Sequence, residues 1–314
     1  MMRGASALGL GDITTETPVS WVGKASYWSP THVVPSAWHE HAPFAFWLVD
    51  ALRPSTFVEL GSHNGFSYFA VCEAVQRLGL DTSCSAIDSW EGDEHAGFYG
   101  DDVYRSVTEI NEASYSGFSR LIRSYFSDAV DQFEDGSIEL LHIDGRHRYE
   151  DAVEDFETYR PKLAATAVVI FHDTFEFERG FGVHRLWAEL CERYPDSTFQ
   201  FEHGHGLGVL GLGDLPQPLV DFFAAGRADP DAVRADYARL GAVVTARAGL
   251  MQERSDALAA VERQEAELGA VRLHATQLEI ELQRARDRFT EVTDSTVWRA
   301  TSPLRRLVDR ARRR

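Results

Sequence analysis

Asp144, His147 and Asp173 are residues whose types and spacing could do chemistry. Both aspartates follow hydrophobic runs, Leu141-His142-Ile143 and Val169-Ile170-Phe171-His172. That places them at the carboxyl ends of two strands, where open α/β sheets bind their ligands. His147 lies three residues beyond Asp144. An imidazole titrates near neutrality, so His147 suits a general base that removes the proton of an attacking oxygen. The same histidine could instead cap or pack the following helix.

A second group lies upstream. Phe57-Val58-Glu59-Leu60-Gly61-Ser62-His63-Asn64-Gly65-Phe66-Ser67 is a hydrophobic strand running into a turn with two glycines and then a helix start. Glycine permits positive φ or close approach to a ligand, and a helix start offers free N–H donors. Glu59, Gly61, Ser62, His63, Asn64, Gly65 and Ser67 are therefore the candidate cofactor cradle, although a purely structural turn would show the same glycines. The spacing is Gly-x-x-x-Gly, unlike the Gly-x-Gly-x-x-Gly of dinucleotide binders, which disfavours a nicotinamide dehydrogenase. The next strand ends at Asp88, placed to bind ribose hydroxyls unless it is a surface carboxylate or a cap. Ser127, in Tyr125-Phe126-Ser127-Asp128, follows the third strand and could meet an adenine edge. Trp90 could stack on that base or plug the core.

The elements that must position these residues alternate. Strands are expected at Thr56 to Leu60, Ser83 to Asp88, Leu121 to Ser124, Ile138 to Ile143 and Ala167 to Phe171. Helical stretches lie between them, which means parallel βαβ units. A helix is expected from Ala37 to Leu52, packed by Trp38, Phe44, Phe46 and Trp47, and another from Val183 to Tyr194. Thr198 to Glu202 and Leu207 to Leu212 flank His203-Gly204-His205-Gly206, a connection suited to an antiparallel hairpin. His95, His203 and His205 are loop histidines, read as solvated or hydrogen-bonded before any role at a pocket.

The 314 residues carry 44% hydrophobic and 25% charged side chains, an ordinary globular composition that excludes a disordered or collagen-like chain. A net charge of −18 argues against nucleic acid as a partner. Cys72, Cys84 and Cys191 have no metal-ligand spacing and read as reduced thiols. No signal-peptide core and no membrane-spanning run is seen, so a cytoplasmic protein is expected.

Taken in order, Glu59 to Gly65, Asp88-Ser89-Trp90-Glu91-Gly92-Asp93, Leu141 to Tyr149 and Phe171-His172-Asp173-Thr174 resemble the class I methyltransferases of the macrocin O-methyltransferase and cephalosporin-biosynthesis methyltransferase-like family. The resemblance covers roughly residues 37 to 212. It implies an α/β, Rossmann-like class I methyltransferase fold, with a seven-stranded mixed sheet whose last strand is antiparallel. It also implies S-adenosyl-L-methionine as methyl donor and often a divalent ion, usually Mg2+, beside the acceptor hydroxyl. The metal positions map onto Asp144, His172 and Asp173, and the general base onto His147. His172 departs from the acidic residue expected there, and imidazole favours softer metals than magnesium.

Beyond Pro230 the texture becomes rich in Ala, Glu, Arg, Leu and Gln. Alternating steps of three and four from Leu240 give a stripe broken at Arg247, Arg254 and Gln264 and unbroken from Leu268 to Val292. That register predicts a long α-helical coiled coil pairing with a second copy or a partner helix, or else a helix folded back on the domain. Arg299 to Arg314 holds seven arginines against Asp309 alone. Ser295 to Leu307 resembles a tail found after coiled coils in bacterial glycosyltransferases and methyltransferases of surface-polysaccharide assembly, and the basic end is on an otherwise acidic protein. It could dock peripherally on anionic lipid at the inner face of the membrane, or on an acidic partner such as a glycosyltransferase.

The expected organisation is a flexible arm over residues 1–35, a methyltransferase domain over 36–225, a coiled coil over 230–295 and a basic tail over 296–314. The expected reaction is O-methylation of a hydroxyl, on a sugar of a bacterial polysaccharide or glycosylated natural product, or on a small non-sugar acceptor. A non-catalytic scaffold that only senses the cofactor is disfavoured by Asp144, His147 and Asp173 occurring together.

Overall fold

The computed structural model describes residues 19–93, 97–178 and 180–313. Residues 1–18 of the expected arm and His95 lie outside the described residues.

The first unit opens with α1 (Ala42–Leu52), β1 (Thr56–Leu60), α2 (Phe66–Leu78) and β2 (Ser83–Asp88). A small ribbon of β3 (Gly92–Asp93) and β4 (Gly97–Phe98) leads into α3 (Asp101–Ser114), β5 (Ser119–Arg123) and α4 (Phe126–Ala129). Then come β6 (Ile138–Ile143), α5 (Tyr149–Tyr159), β7 (Leu163–His172), α6 (Val183–Arg193), β8 (Thr198–Phe201), β9 (Leu207–Gly211) and α7 (Gln217–Ala228). The sheet runs β5-β2-β1-β6-β7-β9-β8, with β9 antiparallel to both neighbours and the other pairings parallel. This is the seven-stranded, Rossmann-like methyltransferase fold that the sequence resemblance implies, its parallel strands being those expected from the alternation of elements.

Side chains alternate across each strand. On β1, Phe57 enters one apolar layer, while Val58 and Leu60 enter the other. On β6, Leu140 joins the first layer, and Leu141 and Ile143 the second. Glu59 and His142 share the parity of the first layer and sit directly opposite each other. The central strands are thus largely apolar on both faces, and these two polar residues meet within the first layer.

Helix α1 begins at Ala42 rather than at Ala37, because Pro43 lies in its first turn, where a missing N–H costs nothing. The stretch before it, 19–35, is tied down rather than free. Thr31 donates twice to Glu73, Trp21 Nε1 donates to Asp236 at 3.1 Å, and Ala25 is buried.

The chain divides into two compact units, Met1–Gly249 and Leu250–Arg314, and α8 (Pro230–Asp294) contributes to both. In the first unit α8 buries Val233, Tyr237, Gly241, Val244 and Ala248. A Cβ on Gly241 would stand 2.4 Å from the carbonyl oxygen of Glu40, so this helix face fits closely against the domain. The expected stripe is corrected here: Val243 is 66% exposed, and the buried row falls one residue later. The domain surface, not a heptad seam, sets the register of these turns. The second unit holds the remainder of α8, α9 (Thr296–Ala300) and α10 (Ser302–Arg312). Among the described residues no helix is long and apolar enough to cross a membrane.

Candidate active site

The loop after β1 is built around Asp88. Its Oδ2 accepts from the backbone N–H of Ser62 and of His63, each at 2.9 Å, and its Oδ1 accepts from Trp90 N–H at 2.7 Å. A carboxylate offers about four acceptor sites, so Asp88 shapes the loop and still faces the cleft. Gly61 is required by close approach of a different kind from that expected. At φ +87° it passes so near β6 that a Cβ would lie 2.0 Å from the backbone oxygen of Asp144. Gly65, at φ +81°, caps α2, and a Cβ there would strike the Phe69 ring at 2.7 Å.

Glu59 lies beneath this loop and is fully buried. Ser62 Oγ donates to its Oε1 and His142 Nδ1 to its Oε2, both at 2.7 Å. Neither Glu59 nor Gly65 lines the cleft. Gly61, Ser62, His63, Asn64, Ser67, Asp88, Ser127 and Asp144 all do.

Across the cleft, β6 and β7 end side by side with Ile143 opposite Phe171. Asp173 turns the chain out of β7 at φ +58°, a left-handed conformation that aspartate tolerates better than most residues. His147 Nε2 donates to Asp173 Oδ2 at 2.8 Å and lies 3.9 Å from Asp144 Oδ1. His172 Nδ1 is 3.4 Å from Asp144 Oδ1 and 3.3 Å from Asp173 Oδ1. Its Nε2 donates to the Gly204 carbonyl at 3.0 Å, which also receives His41 Nε2 at 3.1 Å.

Electrostatics divide these groups. Burial opposes charge on His172, but Asp173 and Asp144 outweigh it and hold the imidazole well above its usual value. His172 is thus held between Asp144 and Asp173 on one ring nitrogen and the Gly204 carbonyl on the other. Burial likewise opposes charge on His147, but Asp144 and Asp173 raise it to about 9. Both aspartates overcome burial to ionise well below the usual carboxylate range, His172 supplying the largest stabilisation of each. Asp144, His147 and Asp173 offer ligand atoms within 4.8 Å of one another, and the two carboxylates are the oxygen ligands that a hard divalent ion prefers.

The cleft has a volume of about 900 Å³, within the range of small-molecule sites. Three groups of its lining were missed in the sequence. Trp38, expected to pack a helix before any substrate role, lies between the cleft and a buried histidine layer, 5.2 Å from the ring of His142 and 5.4 Å from that of His41. Asn64 Nδ2 donates to Pro35 O at 3.0 Å, which brings the stretch before Trp38 to the rim. Asp151, Glu154 and Asp155 of α5 line the side near Phe126, and Glu91 accepts from Tyr125 Oη at 3.0 Å. Their acidity carried no spacing that set them apart from a solvated helix face. Of the loop histidines, His205 reaches the lining and bonds Glu176 at 3.0 Å, whereas His203 stacks on His41. Trp90 is buried and donates from Nε1 to His63 O, so it plugs the core.

Residues 58–174 match a family model described as a methyltransferase domain. An uncharacterized protein of Sinorhizobium fredii is 53% identical over 194 residues, which are 59% of this chain and 21% of that protein. The chain thus spans about a fifth of the length of that relative. A methyltransferase from Geobacter sulfurreducens has a similar structure with a TM-score of 0.43 at 15% identity, over 58% of this chain and 81% of that one. The methyltransferase PaMTH1 of Podospora anserina, solved with SAH bound, gives 0.43 at 13% identity, over 58% and 90%.

Proposed function

From a methyltransferase domain on a sheet of the S-adenosylmethionine-binding kind, we propose that this protein transfers a methyl group from that cofactor to a hydroxyl oxygen. The observation that carries the reading is the convergence on one cleft of the Ser62–Ser67 loop with Asp88 on one wall and Asp144, His147 and Asp173 on the other. The backbone N–H groups at the start of α2, with Asp88, would hold the methionine and ribose ends, and Ser127 the adenine edge. When bound, the cofactor supplies a methyl group on a positively charged sulfur.

This chain's own residues orient the acceptor and deal with its proton. His147 Nε2 faces Asp173 and is the group placed to take the hydroxyl proton. In the metal-free cluster the two carboxylates keep that nitrogen protonated, with a pKa of about 9. Asp144 and Asp173 would hold a divalent ion, which would supply positive charge beside the acceptor hydroxyl. Phe98, Tyr99, Tyr125 and Phe181 line the cleft and present rings to the apolar face of an acceptor. A sugar hydroxyl of a bacterial glycan or glycosylated natural product suits such a site, and the sequence resemblance points the same way.

The test is incubation of the purified chain with S-adenosylmethionine labelled in the methyl group and bacterial glycan extracts, with and without a strong chelator. Label in a base-stable methyl ether, lost with His147→Ala, is the expected result. Failure of calorimetry to detect S-adenosylmethionine binding at millimolar concentration would overturn the reading. Turnover indifferent to the chelator would remove the metal while leaving the methyl transfer.

A further inference from the structure

The second unit presents an apolar row with nothing over it among the described residues. Val261, Leu268, Val271, Leu278, Leu282, Phe289 and Val292 are each about half exposed or more. With Gln264, Ala275 and Ala285 they keep the alternating three- and four-residue spacing of a coiled-coil seam. We propose that the occupant of this seam is a second copy of the same chain, paired antiparallel and centred between Ala275 and Leu278.

Three properties of the row select this pairing. The first is size. In the antiparallel register Ala275 faces the partner's Leu278 and Leu268 faces the partner's Ala285. Val271 faces the partner's Leu282, and Val261 the partner's Val292. Each alanine is opposed by a leucine, which fills the layers evenly. In a parallel, in-register pair Ala275 and Ala285 would each face themselves and leave under-filled layers.

The second is charge. Beside the seam Glu265 meets the partner's Arg286, Arg272 the partner's Glu279, Glu267 the partner's Arg288 and His274 the partner's Glu281. Sliding by one heptad in one direction sets Arg272 against itself and Glu265 against the partner's Glu279. Sliding in the other sets Glu279 against itself and Arg272 against the partner's Arg286. Charge therefore fixes the antiparallel register. It does not choose the orientation, because the parallel pairs Glu267 with Arg272, His274 with Glu279 and Glu281 with Arg286 are also complementary.

The third is where the seam stops. Arg254 occupies a core position, and α8 ends at Asp294. The antiparallel register pairs the helix from about residue 259 to Asp294, roughly 50 Å at the rise of an α-helix. Arg254 falls outside that overlap, whereas a parallel pair would set it against its own copy in the seam. Leu273 and Ile280 lie on the opposite helical face and take no part.

The test uses the full-length chain. Sedimentation equilibrium should show a dimer at micromolar concentration. A monomer, or an assembly larger than a dimer, overturns the proposal. Under mild oxidation Leu268→Cys with Ala285→Cys should give a covalent dimer, whereas Ala285→Cys alone should not, and efficient cross-linking by the single variant means a parallel pair. Glu265→Arg should weaken the dimer about tenfold, by turning two attractions into repulsions. Adding Arg286→Glu should restore it, because the swapped pair again carries opposite charges. In a parallel pair the second change sets Glu281 against a new glutamate, and the double variant would be the weaker.

Discussion

Asp88 on one wall of the cleft, and Asp144 and Asp173 on the other, stand where strands end, yet they meet different partners. Asp88 accepts from three backbone N–H groups, and Glu59 from Ser62 and the buried His142. Asp144 and Asp173 face two imidazoles that can gain or lose protons. Backbone dipoles cannot change their charge, so Asp88 anchors a loop, while Asp144 and Asp173 belong to a network whose protons can move. Position on the sheet does not distinguish a building carboxylate from a chemical one. The partner does.

The largest effect that separates the two sides is on turnover. His147→Ala should lower methyl transfer by about a thousandfold or more. S-adenosylmethionine affinity should stay within a few-fold by calorimetry, because the loop held by Asp88 is untouched. A variant that keeps its rate would move the base elsewhere. Asp144→Asn should behave similarly in turnover, with thermal stability unchanged or raised, since functional charge clusters are seldom optimal for stability.

The opposite signature is expected across the cleft. Glu59→Ala leaves His142 and Ser62 without their buried acceptor and should cost about 3 kcal/mol in denaturant titrations. Asp88→Asn replaces one acceptor oxygen with a donor that faces a backbone N–H, and should cost about 2 kcal/mol together with cofactor affinity. If Asp88→Asn melted like the unaltered protein, the distinction between anchoring and reacting carboxylates would fail. If it also bound cofactor normally, the ribose assignment would fail too.

The sequence made most of the first unit legible because its strands are short hydrophobic runs with clear ends. Thr56–Leu60, Ser83–Asp88 and Ile138–Ile143 form over the expected residues. Strand β7 begins at Leu163 rather than Ala167 and runs to His172, its start hidden among alanines, which favour helix over strand. Helix α7 was not foreseen: its Leu219, Phe222 and Phe223 cover α1 and β8 and are read more easily from the surface they meet than from their own spacing. Asp144, His147 and Asp173 converge because strand ends converge in a parallel sheet. The setting of His172 depends on Gly204, a carbonyl on the distant hairpin that no local motif announces.

The smallest predicted effect concerns Asp155, a cleft-lining acid whose partners belong to neither set. Burial, reinforced by Asp151 and Glu154 and opposed by Arg146, pushes its carboxyl up to about 7. In the unfolded chain the group ionises near pH 4. Below that value both states hold the proton, and Asp155 contributes no pH dependence. As pH rises from about 4 to about 7, the unfolded chain releases the proton while the folded one keeps it, so stability falls and then levels off. Asp155→Asn removes that loss. Its stability relative to the unaltered protein should therefore grow across this window and plateau above about pH 8, at about 1–2 kcal/mol after solvent screening of a partly exposed group. Denaturant midpoints at several pH values would measure it. A difference that is flat with pH would mean that Asp155 is ionised throughout and that α5 presents an ordinary acidic face to the cleft.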